Sequence, residues 1–276
     1  RDPEWLYGEG IGASRAPLVQ LEYALRALHR TRKLRSISLG VMLYADEGRD
    51  CEESAEHIAR AAAEAKEVLV LHPGNSDDSV VTGRRGQRRY RAFFQSRPRK
   101  LGQAKKQPEV MLRALSALDV VSRFSNRKER LAVSAVDVRS DAYPRLLPHR
   151  VTATLQVSFP NLRAAEQLEQ RITDVLSKAK AELALLSDRP PMPSRRINTA
   201  LLKRLRAAAA DWEIPLNTET SLQPSVAGLV PPRVPVICGL GPVARNLYTG
   251  REAVSRISLV QRTLLLAEFL LNHAAD

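Results

Sequence analysis

Between residues 88 and 186 the apolar pattern runs through the order β-α-β-β-α-β, an order that few folds can accommodate. Residues 88–95 read as a strand. Residues 108–121 read as a helix carrying Val110, Leu112, Leu115, Leu118 and Val121 on one side. Residues 131–138 and 151–159 alternate at period two, and the second run places Val151, Ala153, Leu155, Val157 and Phe159 on a single face. Asn161 stands where it can cap a helix whose Leu162, Ala165, Leu168, Ile172, Val175 and Leu176 form an apolar stripe. Residues 182–186 supply a last strand. Such a segment closes as a small ferredoxin-like α+β sheet with both helices on one face.

On either side of this segment helix and strand alternate, the signature of an α/β layer structure. Residues 17–28 predict a helix with Pro17 in its first turn, where a missing amide costs nothing, and with Leu18, Leu21, Leu25 and Leu28 sharing a face. Residues 36–46, SISLGVMLYAD, are continuously apolar in the middle and predict a strand covered on both faces. A second helix over 52–65 and a short buried strand over 68–71 follow, the strand ending at a His-Pro-Gly turn. Beyond the proline-rich DRPPMPSRR hinge, 201–210 reads as a helix, 234–240 as a buried strand and 259–271 as a closing helix. The expected organisation is a larger α/β domain made of 1–86 and 188–276, with 87–187 inserted into it.

Composition narrows the partners. The formal charge is +13, and Arg84, Arg85, Arg88, Arg89, Arg91, Arg97, Arg99, Lys100, Lys105 and Lys106 fall in one stretch without a single Asp or Glu. This favours acidic surfaces. Tyr90, Phe93 and Phe94 are interleaved with these charges, an arrangement compatible with stacking on bases. An alternating strand explains it more simply, with the aromatics on the buried side and the basic side chains on the wet one. Nucleic-acid binding therefore ranks third among the functions considered. No apolar run reaches the roughly 18 to 20 residues of a membrane span, and RDPEWLYGEG has no basic leader before an apolar stretch, so no secretory signal is expected. Cys51 and Cys238 are the only cysteines and are far apart, which leaves a reducing cytoplasm as the expected compartment.

The ordered set LYGEGIGASRAPL, LYADEG, VLVLHPG, TGRRG, PVICGLGPVARNLYTG and SRISLVQR resembles the metallopeptidase family M-twenty, which includes carboxypeptidases, aminoacylases, acetylornithine deacetylase and succinyl-diaminopimelate desuccinylase. The resemblance implies a zinc-peptidase-like three-layer α/β domain with an inserted ferredoxin-like dimerisation domain, and hence a homodimer joined through that insert. The chain opens at the glycine-rich turn, where the family is already under way. Its peptidase-like domain is accordingly expected to be incomplete at the start, and the family's His-x-Asp segment has no counterpart here.

Carried over position by position, the resemblance implies a loss of ligands. The metal-bridging Asp falls at Ala13, the metal-binding Glu at Gly48, a further carboxylate ligand at His72 and the last His ligand at Tyr248. Glu47 takes the place of the general base. The His that the insert lends to catalysis falls near Lys100, and the groups that hold substrate carboxylate fall on Leu146 to Pro148 and on Ser158. Two zinc ions need several anionic or imidazole ligands and a bridging carboxylate. Ala13 and Gly48 offer no side-chain donor, and a phenol with a pKa of about 10 is a poor ligand.

The expected function is accordingly a non-catalytic peptidase relative that binds or scaffolds another macromolecule, with no metal or other cofactor. Its partners would be a twin copy, an acidic protein met by Arg84, Arg85, Arg88, Arg89, Arg91, Arg97, Arg99 and Lys100, or a catalytic subunit. The alternative is a metal-dependent amidohydrolase or an acyltransferase acting on N-acyl amino acids or small peptides, through His72 and Glu47 or through Cys51 as nucleophile.

Overall fold

The computed structural model describes residues 2–74, 79–100 and 109–273. In chain order the elements are β1 (Trp5–Tyr7), α1 (Ala16–Arg30), α2 (Ala55–Glu64), β2 (Val68–Leu69), β3 (Val80–Arg84), β4 (Gly86–Gln95), α3 (Val110–Ser122), β5 (Ala132–Ser140), β6 (Arg150–Phe159), α4 (Leu162–Lys178), β7 (Ala181–Arg189), α5 (Asn198–Ala210), β8 (Thr218–Ser221), β9 (Val236–Ile237), β10 (Ala244–Arg245), β11 (Ala253–Ser255) and α6 (Arg256–His273). They divide into two compact units. One comprises Arg1–Arg84, Met192–Ser221 and Ser225–Asp276, the other Arg85–Pro191 with Leu222–Pro224.

The second unit is an antiparallel four-stranded sheet in the order β5-β6-β4-β7, with α3 and α4 on one face. Pairing Tyr90 with Leu155, Ala92 with Ala153 and Phe94 with Val151 sets the register, and a slip of one residue would turn every one of these side chains outward. That buried face meets Ala114, Leu118 and Val121 of α3 and Leu168, Ile172 and Leu176 of α4. Each fully buried Leu or Ile contributes about 2 kcal/mol. The Asn161 side chain accepts the Ala164 amide proton at 2.9 Å and so caps α4. At the start of β4 a Cβ on Gly86 would lie 2.2 Å from the Phe159 ring, which leaves glycine as the residue that fits.

The stripe expected on α3 is only partly the buried one. Val110, Leu118 and Val121 are buried, together with Ala114 and Ala117, whereas Leu112 and Leu115 are 57% and 52% exposed. The alanines complete the i, i+3, i+4 face and leave the two leucines on the far side of the helix.

The first unit contains a parallel pair β2-β9, a parallel pair β3-β8 and the three-stranded antiparallel sheet β1-β11-β10. Leu28 of α1, Leu201 and Leu205 of α5 and Leu265, Leu266, Phe269 and Leu270 of α6 share one core. A second core joins Ile58 of α2 with Val81, Val226, Val236 and Cys238. The strand expected over 36–46 is not formed. Leu34–Ser36 is a short 3-10 turn, and the chain after it runs without strand pairing, with Leu39, Val41, Met42 and Leu43 exposed. Strand preference is a preference for packing among neighbours, and no described segment forms a ladder with this run.

Together the units make a mixed α/β domain with a smaller sheet-containing insert. No helix among the described residues is long and apolar enough to cross a membrane.

Candidate functional site

The glycine-rich turn winds as a π-helical turn, Ile11–Arg15, entered through Gly10 in the left-handed region at φ 65°. Its opening amides converge on one buried carboxylate. Glu252 is 1% exposed, and its Oε1 accepts from the amides of Gly12 and Ala13 at 2.6 Å each. Its Oε2 accepts from the amides of Gly10 and Tyr248, both at 3.2 Å. An anion is favoured at the amide-rich start of a helical turn, and here the chain supplies its own. A Cβ on Gly12 would approach Ala244 to 2.5 Å, so glycine is required for this closeness. Glu252 thus brings the Ala13 position and the Tyr248 position together. The sequence marks it only as a lone acid between Arg251 and the AVS strand.

The His-Pro-Gly turn lies beside the Gly-Leu-Gly run. The Gly241 amide donates to the His72 carbonyl at 3.0 Å, and the Leu240 amide to the Val70 carbonyl at 3.3 Å. A Cβ on Gly241 would stand 2.5 Å from the Leu71 carbonyl oxygen, and Gly239 takes φ 72°, so both glycines serve this parallel approach. The arrangement delivers the His72 ring to Tyr248, with Nε2 and Oη 3.1 Å apart. On the other side of the ring, Nδ1 faces Nη2 of Arg84 at 3.4 Å. A guanidinium can only donate, so Nδ1 accepts, the ring proton sits on Nε2, and Nε2 donates to the Tyr248 oxygen. Arg84 itself is buried at 5% exposure, where Nε donates to Cys238 Sγ at 3.1 Å and Nη1 to Ser221 Oγ at 3.3 Å. Tyr248 is 60% exposed, with φ 63°.

Glu47 and Gly48 lie on the 3-10 turn Glu47–Arg49. A Cβ on Gly48 would meet open space, so packing does not demand glycine there. The Cys51 thiol, fully buried, lies 3.6 Å from Oε2 of Glu47. Asp46 orders the start of α2. Its carboxylate accepts from the Glu53 amide at 3.0 Å, the Ser54 amide at 2.9 Å and the Ser54 hydroxyl at 2.5 Å. The Ser54 hydroxyl bond, with these backbone bonds, lowers the Asp46 pKa to about 2.

Could these positions hold two zinc ions? Among the described residues no three His, Cys, Asp or Glu side chains come together closely enough for a metal ion. His72 has both ring nitrogens engaged, and one of them faces a fixed positive charge. Ala13, Gly48, His72 and Tyr248, as described, do not fit a dinuclear centre.

The basic stretch is not a continuous surface. Arg84 is buried as described. Arg88 stands on the helix-facing side of β4, with a 12% exposed side chain that reaches Glu169 at 2.8 Å and Asp188 at 2.9 Å. Burial alone would lower its pKa, but the hydrogen bond and charge of Asp188, joined by Tyr90, raise it. Arg91, Arg97 and Lys100 are exposed, and Arg85, Arg89 and Arg99 are half-buried. Lys105 and Lys106 lie outside the described residues. Tyr90 and Phe94 take the buried side of β4, whereas Phe93 shares the opposite side with Arg89 and Arg91. The Arg99 carbonyl accepts the Leu147 amide proton at 2.8 Å, so the segment before Lys100 meets Leu146 to Pro148 within one unit.

No known protein family and no curated protein matches the sequence. Solved structures do. A tripeptidase from Staphylococcus aureus subsp. aureus Mu50 superposes with TM-score 0.81 at 15% identity, covering 100% of this chain and 76% of that one. Aminopeptidase PepT from Bacillus cereus ATCC 10987 gives 0.74 at 13% identity, with 100% and 76% covered. Human carnosine dipeptidase 1 gives 0.70 at 15% identity, with 100% and 75% covered. At such identities the likeness concerns architecture, and on it the chain has the fold of the M-twenty peptidases.

Proposed function

We propose that this protein is a non-catalytic relative of those peptidases and acts as a binding or scaffold protein, paired with a twin copy through the inserted unit. The observation that carries the reading is the use of both His72 ring nitrogens, one by Tyr248 and one by the Arg84 guanidinium. The imidazole that the resemblance assigns to metal is spent on internal bonds, and Ala13 and Gly48 add no donors. A nucleophilic route through Cys51 is disfavoured by its complete burial, since a thiol must meet the substrate to attack it.

Pairing through the insert is supported by its exposed apolar groups rather than by the stripe of α4. The apolar stripe of α4 is used up inside its own unit, where Ala165, Leu168, Ile172 and Leu176 are buried. A group of exposed apolar side chains stands on α3 and the edge strand β5. Leu112 and Leu115 stand on α3, and Val136 and Val138, 51% and 43% exposed, stand on β5. An edge strand beside an apolar helix face is self-complementary about a two-fold axis. Arg91 and Arg97 are exposed charges of the basic stretch that face solvent and suit an acidic partner or catalytic subunit.

Metal analysis of protein purified without chelators, followed by an amidase screen over N-acyl amino acids and small peptides, tests the non-catalytic reading. The expected outcome is zinc well below one equivalent and no turnover. Stoichiometric zinc, or turnover that disappears in Glu47→Ala or Cys51→Ala, overturns it.

A further inference from the structure

Between α1 and the turn at Asp46 the first unit carries a segment that none of the surfaces above uses. From Tyr23 to Ala45 the sequence has no Asp or Glu, and Arg30, Arg32, Lys33 and Arg35 fall together within it. All four are exposed. Among the described residues none of the four is in an ion pair, whereas Arg26, one turn earlier on α1, is engaged by Glu22 at 2.6 Å. A cation is favoured in the last turn of a helix, which accounts for Arg30 but not for the three residues beyond it.

The charges lead directly into the uncovered apolar run. Leu34 and Ile37 pack against the core shared by α1, α5 and α6, and Tyr44 packs against the core around Ile58. Pinned at both ends, residues 38–43 run without strand pairing and leave Leu39, Val41, Met42 and Leu43 exposed, Leu43 by 65%. Val41, Met42 and Leu43 are consecutive, and consecutive side chains diverge by about 100° in a helix and about 180° in a strand. A protein segment lying against one side of the run would therefore cover only some of them. Immersion at the boundary of lipid headgroups and acyl chains covers them all, at a depth where backbone amides still reach water. The neighbouring cations are complementary to a negatively charged headgroup layer.

We propose that residues 30–43 bind the surface of an anionic lipid bilayer. Arg30, Arg32, Lys33 and Arg35 meet the headgroup charges, and Leu39, Val41, Met42 and Leu43 enter the headgroup layer. The attachment is peripheral. It is independent of whether the chain holds metal and of how the insert pairs.

Co-sedimentation of the full chain with phosphatidylcholine vesicles, with and without about 30% phosphatidylserine, tests this in about 0.1 M salt. The expected result is binding to the phosphatidylserine vesicles alone, with slowed amide exchange confined to residues 30–43. Arg32→Ala with Lys33→Ala should weaken binding about 25-fold, at about fivefold per charge. Met42→Ser with Leu43→Ser should weaken it about tenfold, and both variants should melt like the parent chain. The proposal is overturned if the phosphatidylserine vesicles do not bind, if protection appears elsewhere, or if either double variant binds as the parent does. Polyglutamate that binds the chain as tightly as the vesicles also overturns it, since the surface would then suit an acidic protein.

Discussion

Glu252 does for the first unit what a bound anion does for many helix starts. Its two oxygens accept from four amides, and it is buried, so no water can take its place without rearrangement. Replacing it by Gln keeps the shape but removes the charge and turns one acceptor into a donor facing amides. Glu252→Gln is expected to lower stability by about 2–3 kcal/mol, read as a lower urea midpoint with an unchanged slope. An unchanged midpoint would show that the carboxylate is dispensable. This residue was not legible in the sequence, because three of the four amides that define its role lie some 240 positions upstream. His72 and Tyr248 were legible as positions, through the resemblance. Their hydrogen bond was not, since Arg84, which fixes the imidazole tautomer, reads in the sequence as one more member of a basic run.

At the scale of elements, the alternating strands of the insert were legible because each has a wet face and a dry face. The run over 36–46 was not, because a continuously apolar segment says only that it would be stable if covered. α3 failed in the opposite way, since small alanines carried its buried face while larger leucines pointed outward. The start of α2 depends on Asp46, whose carboxylate has its pKa lowered from the ordinary 3.8 to about 2. A group whose pKa is depressed by folding stabilises the fold above its unfolded value, and that contribution is lost as pH falls through its folded value. Melting temperatures measured from pH 5 down to 2 should therefore fall more steeply for the parent chain than for Asp46→Asn, with the difference concentrated below about pH 4. Parallel curves would show that Asp46 is not coupled to folding.

For the whole molecule, the two-unit architecture was legible because the change from α/β alternation to the ferredoxin-like order is a change in kind rather than degree. What the units do with their surfaces was less so, since the leucines of α3 that the pattern placed in the core, Leu112 and Leu115, stand exposed. If the α3–β5 face joins two copies, Leu115→Asp should convert a dimer to a monomer in sedimentation or size-exclusion measurements while leaving far-UV circular dichroism unchanged. A parent chain that is monomeric at micromolar concentration would refute the pairing.

The placement of Arg84 bears on what the positions around His72 can hold. Placing carboxylates or imidazoles at 13, 48 and 248 would add donors near His72, yet a permanent cation would still stand against its Nδ1. Removing that cation in turn strips Cys238 and Ser221 of a buried partner. A metal ligand set built on His72 would therefore come at the expense of buried bonds that hold Val81, Cys238 and Ser221 around one guanidinium.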